Sequence, residues 1–191
     1  MMDMKKTVAI LMAVLIEILY NPKKNLEKST TLFLSPDTPY SNIKALREAM
    51  RSCRSFIWWF DKHFSIKGLE PLSDELNGNI INNIRVLTGT ANVNDNLKRD
   101  FKRFETEMSE RGIKAELKVI YNKELLNTIH DRWIISENIC YNLPPINTIY
   151  QGQYAEIKLT KNIPPFENWW TSGHDILSEW EEIKKHIVEK K

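Results

Sequence analysis

The chain has 191 residues and a formal net charge of +2, so it can bury a sizeable single-domain core but has no overall field marking a polyanion-binding protein. Hydrophobic residues at 42% and charged residues at 27% exclude a disordered chain and are ordinary for a globular one. No CxxC, HExxH, Walker or GxGxxG pattern occurs, so no metal and no cofactor is expected.

The first twenty residues, MMDMKK followed by TVAILMAVLIEILY, combine a basic start with an apolar run. Glu17 interrupts the run, no small-residue cleavage site follows, and the run is too short to cross a bilayer comfortably. The segment 1–20 therefore reads as an apolar helix for packing or oligomerisation, not as a transmembrane span. Residues 21–30, NPKKNLEKST, open on Asn-Pro and read as a polar linker, leaving 31–191 as the domain.

TLFLSP predicts a short buried strand. From Ser41, a candidate N-cap, the spacing of Ile43, Leu46, Met50 and Cys53 predicts a helix. SFIWWFD reads as a strand ending at Asp61, with Trp58 and Trp59 on opposite faces. Leu69, Leu72 and Leu76 mark a second helix, and NIRVLTG a strand closed by Gly89. Leu97, Phe101, Phe104 and Met108 then predict an amphipathic helix ended by Gly112. ELKVIY, TIHDRWIIS and Tyr154–Leu159 read as further strands. Trp133 is expected inside the sheet. Ile176, Trp180, Ile183 and Ile187 define a closing helix, onto which Trp169 and Trp170 are expected to pack. Strands alternating with helices, then a late cluster of strands, imply an α/β sandwich on a mixed sheet. Cys53 and Cys140 lie in core elements without metal-ligand spacing, as in a reduced cytoplasmic protein.

The chemistry-bearing stretch is TIHDRWIISE. His130 is followed at +2 by Arg132 and at +7 by Glu137; further on stand Pro144, Pro145 and Asn147. In spacing this resembles the single motif of the phospholipase D superfamily, with arginine in the lysine place and glutamate in the aspartate place. Two prolines replace a glycine-serine pair, and the asparagine is kept. The HDR followed by an aromatic and two aliphatics is also similar to degenerate members. One such group is the C-terminal domain of proteins that carry a microtubule-interacting and trafficking domain, a membrane-binding module.

The resemblance implies a phospholipase D-like half-domain whose sheet is flanked by helices. It implies His130 as nucleophile, Arg132 as electrostatic clamp and Glu137 as the motif carboxylate, with Arg132 and Asn147 on the phosphate. Because the family uses two histidines and this chain has one motif, catalysis implies a homodimer. The expected ligands are phosphodiesters, either of nucleic acid or of phospholipid. A metal-independent, nuclease-like phosphodiesterase is expected first, and a degenerate binding module or a structural partner domain is the alternative. The prolines weigh toward the alternative, because they lack amide donors and the serine hydroxyl is gone.

Asp61 and Asp131 are secondary candidates. The blander readings are a turn-capping Asp61 and a strand-entry ion pair at His130, Asp131 and Arg132. Lys98, Arg99, Lys102 and Arg103, interleaved with Asp100 and Glu105, read as a solvated helix face.

Overall fold

A computed structural model describes residues 31–187. The expected apolar helix over 1–20 and the linker over 21–30 lie outside them. Fifteen strands and helices follow one another: β1 (Thr31–Leu34), α1 (Pro39–Arg51), β2 (Ser55–Phe60), α2 (Leu69–Glu75), β3 (Ile81–Gly89), α3 (Asp95–Glu110), β4 (Lys114–Ile120), α4 (Lys123–Thr128), β5 (Arg132–Ile135), β6 (Cys140–Leu143), α5 (Ile146–Tyr150), β7 (Ala155–Leu159), α6 (Phe166–Trp170), β8 (His174–Asp175) and α7 (Trp180–Ile187). A single turn of 3₁₀ helix, Ile66–Gly68, leads into α2.

The eight strands form one sheet in the order β1-β7-β6-β5-β2-β3-β4-β8. β2, β3 and β4 run parallel, joined by α2 and α3; the remaining pairings are antiparallel. The fold is thus α/β with a mixed sheet flanked by helices.

Alternation along the strands sorts side chains between two cores. In β2, Ile57 and Trp59 enter the main core, while Phe56, Trp58 and Phe60 face the other side. The main core takes the apolar faces of α1, α2, α3, α5 and α7. The second core gathers Phe60, Leu87, Ile135 and Cys140 beneath α4 and α6. Trp133 belongs to this second core, half-buried. Trp170 and Trp169 close α6 over it, with Trp169 against Phe60; neither is part of the main core that receives α7.

Two details differ from expectation. α1 starts at Pro39, not after Ser41, because proline at the first position has φ already set for a helix and loses no needed N–H. Its buried polar residue, Asn42, clamps the entering chain by donating to Ser35 O at 2.9 Å and accepting from Ser35 N at 3.1 Å. The closing helix begins only at Trp180, because Ile176 belongs to the turn after β8 and donates its N–H to Leu117 O. No helix among the described residues is long and apolar enough to cross a membrane.

Candidate functional site

The sheet topology makes one edge chemically distinctive. The carboxyl ends of β2, β3 and β4 lie there, and so does the amino end of β5, which runs antiparallel to β2. Phe60 sits opposite Trp133, so the next residue on one strand, Asp61, falls beside the preceding residue on the other, Arg132. Asp61 is 0% exposed. Its Oδ1 accepts the His63 N–H at 2.8 Å and the Arg132 Nε–H at 3.3 Å, and its Oδ2 accepts the Ile146 N–H at 3.2 Å. A buried carboxylate needs such a set of donors to remain in place. It is both a turn cap, through His63, and an ion-pair partner.

Arg132 keeps 16% of its side chain exposed. A guanidinium has five N–H donors; Nε–H goes to Asp61, and the terminal donors engage no partner among the described residues. His130 and Asp131 are exposed and make no hydrogen bond or ion pair with the described residues. Arg132 therefore finds its acid on β2, not next door at Asp131.

Glu137 lies two residues beyond the far end of β5, a strand that itself puts about 10 Å between Arg132 and Ile135. It accepts a hydrogen bond from the Ser55 hydroxyl, and its own N–H meets Arg54 O at 3.4 Å. Ser55 has φ of 64° and opens β2 with a register shift, so Glu137 secures a strained bulge there. Pro144 and Pro145 carry the chain into α5. The first amide donor after them, Ile146 N–H, is the one that Asp61 holds. Asn147, next in line, lines a groove of about 510 Å³.

The edge also holds residues that motif reading passed over. Ser65, Lys67, Asn92, Asn96 and Arg99 share the groove with Asn147. A smaller one of about 220 Å³ has Lys62, His63, Thr90 and Lys123 in its lining. Their signal in the sequence is position alone, since loops after parallel strands collect ligand contacts. Among the described residues no group of three or more His, Cys, Asp or Glu could hold a metal ion.

Chemically, the edge offers an open imidazole and an aimed guanidinium, with lysines nearby. That set suits an oxyanion better than a cation or an apolar ligand.

The sequence matches no family model and no curated protein. The structure is similar to that of TrmBL2, an archaeal chromatin protein whose structure shows a novel mode of DNA binding, at 12% identity and a TM-score of 0.47. The match covers 88% of this chain and 62% of that one.

Proposed function

We propose that this domain is a phospholipase D-like module that binds phosphodiester groups at the Asp61–Arg132–His130 edge without hydrolysing them. The observation that carries the reading is the buried Asp61 carboxylate holding Arg132 by Nε, which leaves the terminal donors, the fork a phosphate accepts, without a partner among the described residues. His130, two residues earlier and exposed, adds a ring donor. Hydrolysis is disfavoured on two grounds. The amide donor following Pro144 and Pro145 is engaged by Asp61, and Glu137 stabilises the Ser55 bulge at the opposite end of β5.

Hydrolysis is the second reading, because His130 is exposed and makes no hydrogen bond or ion pair with the described residues. It would need a second histidine from another copy of the chain. One experiment separates the two readings. Wild type, His130→Ala and Arg132→Lys are titrated with an abasic oligonucleotide and with vesicles of anionic phospholipid. Turnover of a phosphodiester reporter is followed in EDTA.

Binding that weakens in both variants, with no turnover, is the expected result, and whichever probe binds names the source of the phosphate. EDTA-resistant turnover lost in His130→Ala would establish an enzyme instead. Unchanged binding in both variants would leave Arg132 a purely structural residue.

A further inference from the structure

The groove containing Asn147 does not stand alone. Arg99 lines it and also lines a second depression of about 740 Å³ on α3, formed with Asp95, Lys98, Lys102, Arg103 and Leu177. The two therefore adjoin at that side chain and together form one track along α3. Asn147 directly follows Ile146, whose N–H is fixed to Asp61, the partner of Arg132.

The two halves of this track differ in chemistry. The α3 half presents four cations against one acid in its lining. Part of that charge is answered locally. Asp100 serves Arg99 at 3.3 Å and Arg103 at 3.1 Å, and Lys102 meets Glu105 at 2.7 Å. One carboxylate shared by two guanidiniums leaves a positive excess, and Lys98, over the Trp180 ring at 5.0 Å, meets no acid among the described residues. The other half is lined by Ser65, Asp100 and four amides; Asn94 is engaged as the cap of α3 and Asn92 donates to His63 O, whereas the Asn96 and Asn147 side chains make no hydrogen bond among the described residues. The Ser65 Oγ is buried and has no hydrogen-bond partner among the described residues. An ordered water or a ligand atom ordinarily answers such a hydroxyl.

Primary amides carry a donor and an acceptor side by side, the pattern that reads a base edge. A groove of about 510 Å³ is of the size that takes a small ligand such as one base with its sugar. We infer that this track holds a single-stranded nucleic acid, with one unpaired base in the amide-lined groove and neighbouring phosphates along the cations of α3. The inference rests on the phosphodiester reading of the Arg132 edge and adds base recognition to it.

The test uses fluorescence anisotropy on the full chain with three probes of equal length: a mixed-sequence single strand, its abasic counterpart and a duplex. The single strand should bind about tenfold more tightly than either of the others, the order of one good base contact. The double variant S65A/N96A should abolish that preference while leaving abasic binding unchanged. Its fold should persist, since the Ser65 hydroxyl and the exposed Asn96 side chain make no hydrogen bonds among the described residues. Equal affinity for abasic and base-containing strands would overturn base recognition while leaving phosphodiester binding in place. Binding to neither would sink both readings. A preference for the duplex, or for anionic vesicles, would also overturn the inference.

Discussion

Arg132 and Asp61 form the most consequential pair in the domain because one member has no access to water. Removing the guanidinium strands a buried carboxylate, and Arg132→Ala should lower unfolding free energy by about 3–5 kcal/mol in urea titrations. His130→Ala, two residues away but exposed, should shift it by less than about 0.5 kcal/mol. A large loss from the histidine change would mean that His130 has a structural role. The two cysteines make a second prediction at this scale. Burial pushes the Cys53 thiol up to about 12 and the Cys140 thiol up to about 11. Both thiols should resist iodoacetamide in the folded protein at pH 8 and react fully once urea unfolds it, because the thiolate is the nucleophile. Rapid native labelling of either thiol would contradict the burial described for it.

Among the elements, those with full periods were readable before any coordinates. α3 follows from the spacing of Leu97, Phe101, Phe104 and Met108, and Gly112 ends it with φ of 74°, where a left-handed residue is required. The elements that escaped were short. KELLNT in α4 is too brief for a helical period to register. β6, CYNL, was hidden by the prolines after it, and the two residues of β8 form a strand only because β4 offers them an edge. That edge leads into α7, where Tyr121 is stacked between His174 at 4.3 Å and His186 at 3.8 Å. Glu179 ties the turn down. The Asp175 backbone N–H first, then His174, hold its carboxyl below the usual range. A depressed folded pKa stabilises above the unfolded value and ceases to do so as pH falls through the lowered one. The stability gap between wild type and Glu179→Gln should thus be widest near neutrality and close on acidification. A gap that widens toward acid would show that Glu179 is not held low.

For the whole molecule, connectivity settles what local pattern left open. The TIHDRWIISE stretch offered His130, Arg132 and Glu137 as a candidate set through its resemblance in spacing to the phospholipase D motif. The sheet instead pairs Arg132 with Asp61, 71 positions away, and turns Glu137 toward Ser55. Strand order decides this, and a single sequence does not reveal strand order when its strands are this short. The Arg132 edge, the amide-bearing groove and the cationic face of α3 all belong to one chain, so under the proposed reading one copy suffices to bind. Binding stoichiometry follows from that. A titration at concentrations well above the dissociation constant should saturate at one short oligonucleotide per chain, whatever the oligomeric state found by sedimentation. Saturation at one oligonucleotide per two chains would mean that two copies share the ligand, as the two-histidine reaction requires. Paired with EDTA-resistant turnover, that result would return His130 to the role of nucleophile.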